Sequence, residues 1–262
     1  MISGVNLNDN YNNLNSIILI MAGGLGKRMN SDIPKVLHII NDKPMIIHII
    51  ETSLSINPFK IGIIVGKYYN LIYETIGKYI EKDILDKKIK FIIQEEPRGT
   101  GDAIKCCYNF LNKTNINISK VMILSGDVPL INKKTINDLL LNTHDCKILI
   151  ANIDNSTGYG RIVLNKTNKI CKIIEEKDCN IEEKNIKLIN SGIYCLNLQI
   201  LLKYINNISN NNSQNEYYLT EIFELMANDN IYSDYLLCKD NREISGINTQ
   251  EQLKELNEIV KN

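Results

Sequence analysis

Residues 17–37, IILIMAGGLGKRMNSDIPKVL, limit the possible folds of this chain most strongly, because an apolar β-type run opens straight into a glycine-rich basic loop that closes on Pro-Lys. A strand ending near Ala22 places Gly23, Gly24 and Gly26 at its carboxyl end, where missing Cβ atoms let backbone N–H groups approach phosphate oxygens. Arg28 and Lys35 add fixed positive charge close by. Other glycine loops fit poorly. The loop has no Gly-x-x-x-x-Gly-Lys-Ser/Thr, and Gly24-Leu25-Gly26 meets Met29 where a dinucleotide fingerprint needs a third glycine. Alone, Gly-Gly-x-Gly fits an ordinary strand-to-loop turn as well as a phosphate loop. The basic residues and the Pro-Lys that follow it suit a triphosphate better.

The chain up to residue 150 alternates short β-rich runs with longer helical patterns, which is the grammar of a parallel sheet wrapped by helices. Strands are expected near 16–22, 60–65, 89–94, 120–125 and 146–152, with helices over 44–56, 68–82, 101–112 and 133–142. From 155 to 196 turns and short strands suggest an antiparallel insertion or sheet extension. Helices near 197–205 and 217–228, a strand at 231–238 and an amphipathic helix at 249–260 follow. The fold class is therefore α/β: a Rossmann-like, mostly parallel sheet flanked by helices, with a small antiparallel extension. A polar tail over 1–15 would precede one domain over 16–262, in a first part over 16–153 and a second part with the closing helices over 154–262. No six-residue repeat of the kind that builds parallel β-helices is present.

At 262 residues the chain can bury a full core without staples. Its 30 basic and 30 acidic residues cancel, so no global field draws nucleic acid or an anionic membrane, and any anion must be held by local charge. Seven cysteines without a Cys-x-x-Cys, two of them adjacent at Cys106-Cys107, read as reduced structural thiols rather than zinc ligands or disulfides. The polar amino end reads as neither signal peptide nor anchor, and no apolar run approaches the ~20 residues of a membrane span, so a cytoplasmic protein is expected.

Asp127 follows the buried run 121–124, which would turn its carboxylate into the crevice that the glycine loop faces. A carboxylate there can hold Mg²⁺, a hard cation that bridges protein oxygens to phosphates; it could also be an aspartate in the turn before Pro129. Asn248, beside Gly246, is a second oxygen donor or a helix N-cap. In QEEPRGTGDA (94–103), Gln94 offers the amide donor and acceptor that complement a pyrimidine edge, while Gly99 and Thr100 can face the same base or cap the next helix. The acidic run 175–178 is a solvated face in the main, although one of its glutamates could meet Gly160 and Asn190 around sugar hydroxyls. No nucleophile is required: there is no Gly-x-Ser-x-Gly elbow, and His38, His48 and His144 are scattered.

Together these segments resemble the uridyltransferase domain of the bacterial bifunctional N-acetylglucosamine-1-phosphate uridyltransferase/acetyltransferase family. The resemblance runs from Ile17 to about Leu256 through MAGGLGKRMNSDIPKVLH (21–38), IIQEEPRGTGDA (92–103), SGDVPLI (125–131), TGYGRIV (157–163) with IIEEKD (173–178) and INSGIY (189–194), and NEYYLTEIFELM (215–226) with SGINTQEQL (245–253). The first and third are widespread among sugar nucleotidyltransferases; TGYGR, NSG and NEYYLTE are narrower. The resemblance implies a sugar nucleotidyltransferase fold and Mg²⁺-dependent attack of N-acetylglucosamine 1-phosphate on the α-phosphorus of UTP, releasing pyrophosphate. By motif position it implies that Arg28 and Lys35 hold the triphosphate and that Asp127 and Asn248 bind Mg²⁺. Gln94, Gly99 and Thr100 would read uracil, with Met21, Ala22, Gly23, Gly24, Ser125 and Gly126 around the nucleotide. Gly160, Glu175 and Asn190 would bind the sugar.

Two residues depart from that pattern: Gly23 replaces the second alanine of the usual Ala-Ala-Gly, and Ser125 stands where tyrosine is common. Nothing resembling the acetyltransferase half with its trimer interface follows, so a stand-alone pyrophosphorylase, monomeric or a homodimer, is expected. The nearest rival expectation is a related enzyme using another sugar 1-phosphate or pyrimidine nucleotide. The rival of another class is an inactive nucleotide-sensing subunit, which intact Arg28, Lys35 and Asp127 argue against.

Overall fold

The computed structural model describes residues 15–24, 26–114, 118–141 and 144–261; the expected tail lies outside the described residues apart from its last residue. In chain order the strands are β1 (Ser16–Met21), β2 (Ile39–Ile40), β3 (Lys43–Pro44), β4 (Lys60–Val65), β5 (Ile89–Ile93), β6 (Lys120–Ser125), β7 (Cys146–Asn152), β8 (Arg161–Leu164), β9 (Ile170–Ile174), β10 (Leu188–Asn197) and β11 (Asp234–Leu237). The helices are α1 (Met45–Ser55), α2 (Tyr69–Gly77), α3 (Lys82–Lys88), α4 (Thr100–Lys105), α5 (Tyr108–Asn112), α6 (Lys133–Leu140), α7 (Leu198–Tyr204), α8 (Glu221–Asn228) and α9 (Gln250–Lys261).

The apolar run of β1 is continuous because the strand is buried on both faces, as in a parallel sheet covered by helices. Ile18 and Ile20 enter the core under α1, α2 and α6, whereas Ile17 and Leu19 enter the core under α4, α5, α7 and α8. That alternation is the two-residue period of a strand. The sheet order is β11-β7-β10-β6-β1-β4-β5. All pairings along it are parallel except those of β10, which runs antiparallel between β6 and β7. The segment expected to be antiparallel supplies both β10 and the β8–β9 hairpin, which joins through a pairing of Ile189 with Arg161. Strands from both sides of residue 153 thus share one sheet. No helix among the described residues is long and apolar enough to cross a membrane.

The five expected strands of the first 152 residues lie where the pattern placed them, to within a residue. Three helices differ. The helix expected over 68–82 stops early: α2 ends on Gly77, a poor helix former, Glu81 turns extended at ψ 139°, and a separate helix, α3, begins only at Lys82. The segment 101–112 tightens at Cys106-Cys107, where Cys107 N bonds Ile104 O at 2.9 Å, so α4 and α5 are separate. The helix expected from 217 starts at Glu221, because residues 217–219 instead bond to the start of α4: Gly101 N donates to Tyr217 O at 2.7 Å and Leu219 N to Thr100 Oγ1 at 3.0 Å.

Candidate active site

The parallel strands β1 and β6 end side by side at Met21 and Ser125, and ligands of such sheets lie beyond these carboxyl ends. Gly126 makes the close turn there: its N–H donates to Met21 O at 2.9 Å, and a Cβ would stand 2.7 Å from that same oxygen. Only glycine therefore lets Asp127 come round to the end of β1. The Asp127 carbonyl is in turn fixed by Ile247 N at 3.0 Å, which brings in the segment before α9.

Five polar side chains meet at this point. Ser125 Oγ donates to Asp127 Oδ1 at 2.6 Å, and Lys35 Nζ donates both to Asp127 Oδ2 and, at 3.0 Å, to Asn248 Oδ1. Arg28 Nη2 reaches Asn248 Oδ1 at 3.0 Å as well. Lys35 is delivered by the tight turn after Pro34, and Gly26, at φ +66°, folds over its stem so closely that a Cβ would meet Lys35 Cβ at 2.6 Å. Asn248 is aimed by Gln252, whose Oε1 accepts from Asn248 N at 2.7 Å. Met29, Ile40, Met45, Ile247 and Leu256 form a small apolar cluster beneath, locking α9 to the basic loop. Asp127 Oδ2 and Asn248 Oδ1 converge on a single cationic group, so this oxygen pair fits a hard divalent ion. Among the described residues no three His, Cys, Asp or Glu side chains are grouped to hold a metal. An ion here would complete its shell with phosphate oxygens or water, as Mg²⁺ commonly does.

On one flank stand the residues expected to read the base. Gln94 is buried, its Nε2 donating to Asp102 Oδ2 at 2.9 Å and to Gly99 O at 3.2 Å, while its Oε1 lies 3.5 Å from where a Gly23 Cβ would be. Asp102, not singled out from the sequence, also takes Arg98 Nη2 at 2.9 Å and so shapes the whole loop. Gly99 has φ +115° and lies against Tyr217, where a Cβ would be 2.5 Å from the Tyr217 carbonyl oxygen. Ala22 is buried, and Gly24 is exposed with nothing within 4 Å of a Cβ position, so sterics alone do not demand glycine there.

On the other flank a cleft of about 300 Å³ is lined by Met21, Arg28, Thr100, Ser125, Asp127, Tyr159, Gly160, Glu175, Asn190, Thr220 and Asn248, among others. Phosphate, base and sugar candidates from separate segments of the chain thus share one cavity; Ala22, Gly23, Gly24, Lys35, Gln94, Gly99 and Gly126 are not among its lining residues. Asn190 N donates to Gly160 O at 2.9 Å, and Asn190 Nδ2 donates to Tyr194 OH at 2.7 Å. Glu175 Oε1 accepts from Thr220 Oγ1 at 2.8 Å, yet burial dominates and pushes its carboxyl above the ordinary carboxylate range. Burial, and then the charge of Asp127, raises the Tyr159 phenol. Of the acidic run, Glu175 faces the cleft while Glu176 pairs with fully buried Arg161 at 2.8 Å and takes Gly158 N at 3.2 Å. Arg161 also donates to the Tyr159 carbonyl, so it holds the 157–160 turn from behind. Thr220 and Tyr159 escaped the sequence reading as individual residues, although both lie inside segments that carried the resemblance.

A basic glycine loop, an Asp-Asn oxygen pair and a polar cleft at the carboxyl ends of parallel strands define an enzyme that handles nucleoside phosphates. The chain belongs to the nucleotidyl transferase family, whose model matches residues 17–258. A protein of Acanthamoeba polyphaga mimivirus described as "Probable UDP-N-acetylglucosamine pyrophosphorylase" is 42% identical over 252 residues, 93% of this chain and 96% of that protein. The "Bifunctional protein GlmU" of Clostridium botulinum is 38% identical over 250 residues, 93% of this chain but 51% of that protein. The chain spans about half the length of such bifunctional relatives. Among solved structures, that of a UDP-glucose pyrophosphorylase complexed with UDP-glucose superposes with a TM-score of 0.72 over 94% of this chain and 98% of that one, at 17% identity. That likeness shows a shared fold.

Proposed function

We propose that this enzyme transfers UMP from UTP to N-acetylglucosamine 1-phosphate, giving UDP-N-acetylglucosamine and pyrophosphate. The observation that carries the reading is that Arg28, Asp127 and Asn248, the last two held by Lys35, line one cleft together with Gly160, Glu175 and Asn190. A triphosphate at one end and a sugar phosphate at the other would bring nucleophile and α-phosphorus together. The similarity of a near-full-length relative described as making this nucleotide sugar supports the choice of substrates.

Phosphoryl-type transfer leaves the protein little covalent work, so catalysis is alignment and charge neutralisation. Arg28 and Lys35 would neutralise the triphosphate and the departing pyrophosphate. Backbone N–H groups of the Gly23–Gly24 loop would donate to the phosphates, with Met21, Ala22, Ser125 and Gly126 around the nucleotide. Gln94, Gly99 and Thr100 would hold uracil. Gly160, Glu175 and Asn190 would hold the sugar, the acetamido group against the Gly160–Asn190 backbone. Nucleotidyltransferases generally use a divalent metal; Asp127 and Asn248 would hold Mg²⁺, which neutralises phosphate charge when bound. The purified protein should release pyrophosphate from UTP with N-acetylglucosamine 1-phosphate. Faster turnover with CTP, or with glucose 1-phosphate and none with the acetamido sugar, would reject the assignment.

A further inference from the structure

Lys35 stands where the oxygens assigned to the metal converge. Its ammonium donates to Asp127 Oδ2 and, at 3.0 Å, to Asn248 Oδ1, and the two charged side chains are only 15% and 14% exposed. The other Asp127 oxygen is taken by the Ser125 hydroxyl at 2.6 Å, and Asn248 Oδ1 also receives Arg28 Nη2 at 3.0 Å. This corner is therefore satisfied by the chain's own cations. A carboxylate so enclosed is costly without a counter-charge, which Lys35 provides. An ammonium and a divalent ion cannot both sit on these oxygens, since like charges a few ångströms apart repel strongly where water is scarce.

We propose that Lys35 is a resident counter-ion: it holds the position between Asp127 and Asn248 in the free protein and must swing onto the incoming phosphates before those oxygens can take a divalent cation. The inference rests on the assignment of Asp127 and Asn248 to the metal made above. A lysine suits the task, being a compact charge on a flexible four-carbon stem that can exchange one anionic partner for another. The consequence is an order of binding. Free protein takes metal poorly, and nucleotide opens the site by offering Lys35 a second partner, so a cation arrives with the nucleotide or after it.

The test is Mn²⁺ binding to the nucleotide-free protein, followed by electron paramagnetic resonance and calorimetry in wild type, Lys35→Met, Lys35→Gln and Lys35→Met/Asp127→Asn. Removing a competing cation should tighten Mn²⁺ binding in either single variant by about tenfold or more, the usual size of coupling between ligands. The double variant should lose that gain. Circular dichroism identifies which single variants are folded, and either one suffices. Single variants that fold but bind Mn²⁺ no more tightly than wild type would overturn the proposal while leaving the metal assignment standing. If the double variant keeps the whole of that gain, Asp127 does not hold the ion, the metal assignment itself is wrong and the proposal goes with it.

Discussion

Asp127, Lys35 and Glu175 each have a local environment that makes a separate prediction. Asp127→Asn keeps the shape that receives Ser125 and Lys35 but removes the charge that would compensate a divalent ion. Turnover should fall by orders of magnitude while the circular dichroism spectrum is retained. Lys35→Ala removes one charge-assisted contact to phosphate and should cost about 3 kcal/mol of transition-state stabilisation, on the order of a hundredfold in kcat/KM. The loss should be the same for every sugar phosphate; a changed ratio between two sugars would show that Lys35 reads the acceptor. Glu175 is held above the ordinary carboxylate range by burial, so the folded state binds its proton more tightly than the unfolded chain does. Its favourable share of stability is then complete below the unfolded value of about 4.3 and is lost as pH rises through the higher folded value. Glu175→Gln, which can still accept from Thr220, should accordingly melt higher than wild type at pH 7 and equally at pH 4 (~4, below the unfolded value). Arg28, Lys35, Asp127 and Asn248 could be found from residue type and local spacing. Asp102, Thr220 and Arg161 could not, because each acts through a partner that only folding brings near: Gln94, Glu175 and Glu176.

The strand ends depend on glycines that fit only where two elements touch. Gly126 packs its backbone against Met21 O and Val36 Cγ1, where a Cβ would stand 2.7 Å and 2.9 Å away. Gly126→Ala must shift the turn that carries Asp127, so a loss of about 1–3 kcal/mol in stability is expected, read as a lowered melting temperature. Activity should fall by more than the folded fraction does; unchanged kcat in the folded protein would mean that the turn does not place Asp127. The strands were legible because buried parallel strands leave unbroken apolar runs. Helix boundaries were less so. Residues 217–220 carry a helix-like pattern, yet their backbone is claimed by Gly101 and Thr100 of a helix more than a hundred residues earlier. Such competition between local preference and a distant partner is invisible to periodicity.

For the whole molecule, one sheet joins strands from both sides of residue 153, and α9 closes the structure by seating Leu256 against Met29 and Met45. That small core links the last helix to the basic loop, so Asn248 and Arg28 meet although 220 residues separate them. The α/β class and an antiparallel segment within 155–196 were legible from the patterns, whereas the place of β10 between β6 and β7 was not, since strand order leaves no mark on composition. The most direct measurement of the central claim is a crystal structure of the protein with UDP-N-acetylglucosamine and magnesium. Uracil should lie against Gln94, Gly99 and Thr100, the diphosphate beside Arg28, Lys35 and Asp127, and the acetamido sugar between Gly160, Glu175 and Asn190. A nucleotide sugar seated instead in the neighbouring cleft lined by Ser209, Glu221 and Glu224, or lying in the described cleft with base and sugar ends exchanged, would contradict it.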